Sequence, residues 1–343
     1  MSKGRTQSLN YSAHAIEALR KDAALLRFSA PNSARAYSRI ADLLTESVKF
    51  ILRNCASYFD PEDLRQVHLD LTHLDLTHLP YPCIALEAPW ELETDLKEMG
   101  GHPLEPATRR IALCWEARPE YELMPGLNQI LTRFEEGGTF VVPIYWSPAH
   151  AKWNVCIGGT FIPYQNIVGP IDTHEITPAS AMASKAALEA GIAKPRAAHF
   201  RAEPFVLLPE LFEQSVRHLG GREQAFAHII QNSLDEAMML IQACSVLNCA
   251  NVGTADLTAS AALNKKRIAK NLQPFFDYKI LEVTNERSPR SNAGNGMDHA
   301  SPKMHLRRGH LRRLDGKAIW VRPAVVNPNS GRGAVHKDYA VAP

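Results

Sequence analysis

The dipeptide Asp315-Gly316 constrains this chain more tightly than any other feature, because it lies between two runs that suit extended strands, His305–Leu314 and Lys317–Arg322. Asp-Gly accepts positive φ at both centres of a type I′ turn, so it predicts a two-residue hairpin loop. That loop length sets the register. Leu314 faces Lys317, Arg312 faces Ile319, Leu311 faces Trp320 and His310 faces Val321. Arg313 and Ala318 then share the face of Trp320 while Arg312 lies on the other, so guanidinium groups project from both sides of the ribbon.

Arg307, Arg308, Arg312, Arg313, Lys317 and Arg322 are opposed locally only by Asp315. Such a cluster attracts phosphate groups and releases counterions on binding, and Trp320 adds a stacking surface for an unpaired base. The competing reading is a structural edge whose arginines deter strand pairing and meet acidic residues of the same chain. The echo HLRRG-HLRRL has an odd period that sends equivalent residues to opposite faces, so it is not a binding repeat. A second basic run, Lys265, Lys266, Arg267 and Lys270, precedes an alternating strand pattern at Phe275–Val283. Beside the hairpin it would extend one positive surface, with Phe275, Phe276 or Tyr278 at its edge. Its plain alternative is a solvated helix start.

Basicity is local, since 38 basic residues face 36 acidic ones, with acidic stretches at Glu87–Glu98 and Glu116–Glu136. A length of 343 residues with 45% apolar and 22% charged side chains fits a globular chain of two or three domains. No apolar run reaches the roughly 20 residues that span a bilayer, and the N-terminus lacks a signal-peptide core, so the expectation is a cytoplasmic protein without a membrane partner. Six scattered cysteines with no C-x-x-C pair predict buried thiols, and no bound cofactor is expected.

Helical periodicity marks Ser12–Leu26 and Ala34–Ala56, the latter through Ile40, Leu43, Leu44, Val48 and Ile51, with a break at Ser29-Ala30-Pro31. These form a predicted helical hairpin. Strand-length runs follow at Cys83–Leu86, Ile111–Trp115, Phe140–Trp146 and Trp153–Ile157, and Gly126–Phe134 reads as a connecting helix. Gly137-Gly138 and Gly158-Gly159 read as turns. Further helices are predicted over Pro178–Ala193, Glu203–Leu219 and Arg222–Val246, the last with a stripe including Phe226, Leu234, Met238 and Ile241. Ala250–Ser260 reads as a loop or edge strand, and the Ser/Asn/Gly/Pro-rich stretch 286–302 as a flexible tether for the hairpin.

The pattern implies an α+β protein: an N-terminal helical hairpin (1–65), a central mixed β-sheet region (66–200), a helical block with a strand (201–285), the linker (286–302) and a basic β-hairpin tail (303–343).

Candidate chemistry is sparse. The run HLDLT-HLDLT-HL carries His68, His73 and His78 with Asp70 and Asp75, but a five-residue period disperses the histidines on a strand or a helix, which argues against a metal site. Glu87 and Glu116 each close an apolar run, CIALE and IALCWE, so at one end of adjacent strands they would make a Mg²⁺-binding pair. The plainer reading makes each the solvent end of a buried strand. Asp172 and His174 form a polar cluster with no nucleophile motif nearby.

The segment LNKKRIAKNLQPFFDYKILEV (Leu263–Val283), then Ser301-Pro302, HLRRGHLRRLDGKAIWVRPAVV and Lys337-Asp338-Tyr339, resembles the C-terminal third of a family of uncharacterised phage and prophage proteins. Some also share a Leu79-Pro80-Tyr81-Pro82 step before a strand ending at Glu87. Asn271 stands where that pattern has a glycine. The resemblance implies a phage or bacterial origin and a cytoplasmic setting, and it lends no catalytic residues. The expectation is a phage-type accessory protein that binds DNA or RNA mainly through phosphate. The alternatives are a metal-dependent nuclease or hydrolase and a module that docks onto a host protein.

Overall fold

The computed structural model describes residues 8–55, 73–91, 98–99, 102–103, 107–170, 177–196, 199–283, 305–307, 310–321 and 324–326. The chain forms two units, one of Met1–Ser245 with Ala255–Ile280 and one of Val246–Thr254 with Leu281–Pro343.

In the first unit, helices α1 (Tyr11–Leu26) and α2 (Pro31–Glu46) make the predicted hairpin. Pro31 starts α2, where its missing N–H costs nothing. Ile16, Leu19, Ile40, Leu43 and Leu44 join one core under the sheet. Helix α2 stops earlier than its periodicity predicts. Ser47 turns extended at ψ 151, and Val48–Ile51 becomes strand β1. The apolar spacing of Val48 and Ile51 fits a helix or a strand, and pairing with two neighbouring strands decides for the strand.

The sheet is mixed and has nine strands among the described residues. Strands β2 (Cys83–Pro89), β3 (Arg109–Ala117) and β4 (Gly138–Ser147) form its antiparallel centre. The hairpin partner of β4 is β5 (Lys152–Val155), and β6 (Gly158–Pro163) and β7 (Glu203–Val206) follow outward. On the other side β1 lies parallel to β2 and to β9 (Tyr278–Val283), with β8 (Val252–Leu257) beyond. The class is α+β, as the pattern implies.

Two further segments differ from the sequence reading. Gly158-Gly159 is not a turn but the start of the buried strand β6. A Cβ there would stand 2.3 Å from the Phe205 carbonyl oxygen at Gly158 and 2.3 Å from that of Val141 at Gly159, so these glycines permit close strand approach. The stretch from Glu203 is strand β7 before Pro209 opens a helix, because its apolar residues complete the sheet edge against β6.

Helices α3 (Pro178–Glu189), α4 (Pro209–Leu219) and α5 (Arg222–Leu247) follow the predicted positions, and Leu127–Thr132 forms a short 3₁₀ connector. On α5, Met238 and Ile241 are buried as expected, whereas Leu234 is 46% exposed and Glu236 is fully buried. Helix α6 is Ala261–Ile268. No described helix is long and apolar enough to cross a membrane.

Candidate functional site

The C-terminal hairpin adopts the register that Asp315-Gly316 predicts. Strands β11 (His310–Leu314) and β12 (Lys317–Val321) pair His310 with Val321, Leu311 with Trp320, Arg312 with Ile319 and Leu314 with Lys317. Gly316 has φ 72 but Asp315 does not take positive φ, so the two-residue loop keeps the predicted register without the predicted type I′ conformation; only its second centre is left-handed, the position where glycine is favoured. Outward, β10 (His305–Arg307) meets β13 (Ala324–Val326) with His305 opposite Val326, which continues the same register. Ala324–Val326 thus pairs beyond the predicted end of the second strand. Arg308 and Arg322 lie outside the described residues, and Arg307 is described only as a backbone position.

The ribbon's faces differ. On one, Arg312, Leu314 and Lys317 are exposed towards the turn while Ile319 and Val321 are partly buried, and on the other Ala318 is buried and Leu311 and Trp320 are partly buried. Arg313 shares that second face but is exposed near the turn.

The outer edge of β12 is held by residues just after α5. The Ala250 N–H donates to the Ala318 carbonyl at 2.9 Å, the Asn251 side-chain amide donates to the Trp320 carbonyl at 2.9 Å, and the Trp320 N–H donates to Asn251 Oδ1 at 2.7 Å. Asn251 thus imitates a strand residue. The predicted flexible connector 286–302 lies outside the described residues, but the ribbon beyond it is anchored by these three bonds. They occupy the edge of β12 that β11 does not pair with, so the clamp leaves β11, with Arg312 and Arg313, untouched. Nothing in the sequence around Asn251 signals this contact, because side-chain pairing with a distant backbone leaves no local pattern.

The second basic run divides. Lys265, Lys266 and Lys270 are exposed, but Arg267 is built into the fold. Its guanidinium pairs with Glu17 at 2.6 Å, its Nε donates to the Gln273 carbonyl at 2.6 Å, and it lies 4.2 Å from the centre of the Phe275 ring. As a phosphate ligand it is withdrawn. Asn271 takes φ 53 just past α6, and the Leu272 N–H reaches back to the Arg267 carbonyl at 2.9 Å. This is the helix ending that a glycine commonly supplies, and asparagine tolerates the same left-handed conformation.

Glu87 and Glu116 are not neighbours. Strands β2 and β3 are antiparallel, so Glu87 faces Ile111 while the Glu116 N–H reaches the Pro82 carbonyl at the other end. About 17 Å of strand separates them, at ~3.4 Å per residue. A shared metal between them is ruled out by that distance. Glu87 is fully buried rather than at the solvent end of its strand. It accepts from the Tyr11 N–H at 2.9 Å, the Ser12 N–H at 2.8 Å, Ser12 Oγ at 2.5 Å and the Tyr278 hydroxyl at 2.9 Å. It is the N-terminal cap of α1, contributed from across the fold. Desolvation raises its pKa against the downward pull of these donors. Glu116 is partly exposed and accepts from Arg118 Nη2 at 2.5 Å and the Tyr164 hydroxyl at 3.0 Å.

Remote caps recur. Glu210 accepts from the Asn32 and Ser33 N–H groups at the start of α2, and Glu203 accepts from Thr177 Oγ1 at 2.8 Å at the start of α3. A buried ion pair joins Arg110 on β3 to Glu236 on α5 at 2.8 Å, with Asp235 2.7 Å from the same guanidinium. Burial, against the Arg110 charge, raises the Glu236 pKa to about 7.

His73 precedes the short turn Leu74–Leu76, and the His78 ring lies 4.0 Å from that of Tyr164. His68, Asp70, Asp172 and His174 lie outside the described residues, within which no three His, Cys, Asp or Glu side chains gather as a metal site. All six cysteines are free and five are buried, and burial raises thiol pKa values, that of Cys244 to about 12.

No protein-family model matches this chain, and no curated protein or solved structure matches it.

Proposed function

We propose that the C-terminal hairpin binds nucleic acid through phosphate contacts and that the protein is an accessory factor of phage or prophage type. The observation that carries this reading is the turn end of the ribbon, where Arg312 and Lys317 are exposed at diagonally neighbouring positions of paired strands. Arg312 on β11 and Lys317 at the turn end of the anchored strand β12 sit on a ribbon already held in place, so they can meet successive phosphates without a large ordering cost. Arg313 contributes from the turn, and Trp320, being partly buried, contributes less stacking than a free indole. Contacts to phosphate alone carry no base readout, so binding is independent of sequence. The α6 lysines belong to the other unit, and this reading does not require them.

The test is fluorescence anisotropy of the full chain against single- and double-stranded oligonucleotides over a range of salt. Substituting Arg312 and Lys317 together by alanine should weaken binding to all sequences alike and reduce the slope of log K against log salt by about 1.4–1.8, the loss of two phosphate contacts. An unchanged affinity and slope would remove the hairpin from this role.

A further inference from the structure

We propose that copies of this chain associate head to tail, with the lysine-rich helix α6 of one copy seated in an acidic cleft of the next. The proposal is independent of the nucleic-acid reading and concerns only the first unit.

Helix α6 presents a mixed cationic and apolar surface. Lys265, Lys266 and Lys270 are exposed, and Leu263 and Ile268 are 48% and 59% exposed beside them. Residues 261–276 contain no aspartate or glutamate. The helix is also firmly mounted, through Arg267 to Glu17 and through the Asn271 ending, so its outward groups are presented in a set geometry. Exposed leucine and isoleucine among lysines fit a partner that is both acidic and partly apolar better than a bare phosphate backbone.

The first unit carries a surface of that kind. A cleft of about 240 Å³ is lined by Glu116, Glu120, Leu131, Glu135, Glu136 and Tyr164, among others. Arg118, which also lines it, is paired with Glu116, whereas Glu120, Glu135 and Glu136 are exposed carboxylates at its rim. Leu131 supplies an apolar wall. The cleft admits a lysine side chain and has the complementary charge.

Position makes the contact intermolecular. The cleft lies where β3 ends at Ala117 and β4 begins at Gly138. Helix α6 is tied to Glu17 of α1, whose first turn rests on Glu87 at the opposite end of the β2–β3 ladder. One copy cannot close this contact on itself. Two different complementary patches at opposite ends of a unit give a heterologous interface, which repeats from copy to copy as a ring or a filament.

The experiment is sedimentation velocity of the nuclease-treated full chain at about 50 mM and about 500 mM salt, a range over which screening of exposed charges rises steeply. Association at low salt that reverses at high salt is the expected result. The charge reversals K265E/K266E and E135K/E136K alter exposed side chains, and circular dichroism verifies their folding. Each variant alone should be monomeric at low salt, and an equimolar mixture should associate again, because each then meets its opposite. A monomeric wild-type chain at low salt, association that survives either reversal, or a mixture that stays monomeric would each overturn the proposal.

Discussion

The two helices of the N-terminal hairpin begin with related segments, Tyr11-Ser12-Ala13 and Asn32-Ser33-Ala34, and each is capped by a glutamate from far along the chain. The hydrogen bonds nearly superimpose. Glu87 receives Ser12 Oγ at 2.5 Å and the Ser12 N–H at 2.8 Å, and Glu210 receives Ser33 Oγ at 2.6 Å and the Ser33 N–H at 2.8 Å. Yet the two carboxyls titrate in opposite directions. At Glu87 desolvation outweighs its donors and the pKa rises, whereas at Glu210, where burial also pushes upward, the bonds from Ser33 and Asn32 prevail and hold it at about 2. The same serine donors therefore accompany two outcomes, and the largest difference is the desolvation that dominates at Glu87.

Removing the carboxylates is the strongest way to break this comparison. Glu87→Ala leaves buried donors on Tyr11, Ser12 and Tyr278 without an acceptor, and should destabilise the protein by about 3–5 kcal/mol. Glu210→Ala, whose stranded donors reach water more easily, should cost about 1–2 kcal/mol. Urea unfolding followed by circular dichroism measures both. Equal losses would show that burial does not distinguish the two caps.

The pH dependence sharpens the contrast. A carboxyl with a depressed folded pKa contributes stability above its unfolded value and loses it as pH falls, so the Glu210 contribution should fade from about pH 4.5 towards 2. Glu210→Gln should flatten that limb of the stability profile. Glu87 has the opposite sign, since a raised folded pKa favours folding at low pH and the benefit fades as pH rises above about 4.5. Glu87→Gln should remove that decline, and a profile unchanged in both variants would count against the assignment.

The smallest expected effect belongs to Tyr278→Phe, which deletes one hydroxyl donor to Glu87 and should cost about 1 kcal/mol in the same unfolding assay. The change in hydrogen-bond count alone would then account for only a fraction of the Glu87→Ala loss.

Local chemistry made much of this fold legible in advance. The Asp315-Gly316 turn set the hairpin register, Pro31 marked the start of α2, and the apolar runs at Cys83, Ile111 and Phe140 located three central strands. Where a segment's pattern suits two elements, long-range pairing intervened. Val48 and Ile51 continue a helical stripe but pair as a strand, and Gly158-Gly159 carry turn residues but occupy a strand too close to its neighbours for a side chain. That Arg312 and Lys317 share one face of the ribbon follows from register and was readable, whereas the loss of Arg267 to Glu17 and the Asn251 clamp on Trp320 were not.

The sequence by itself determined the hairpin, its paired residues and the local concentration of positive charge, because turn conformation and strand alternation depend on neighbouring residues. Only the tertiary structure decided which charges are available. Glu87 is drawn into the core by a helix end some 75 residues away, Glu116 is carried to the opposite end of the sheet, and Arg267 is folded against an aromatic ring. Solvation and pairing of a charge depend on groups distant in the chain, and no local pattern records them.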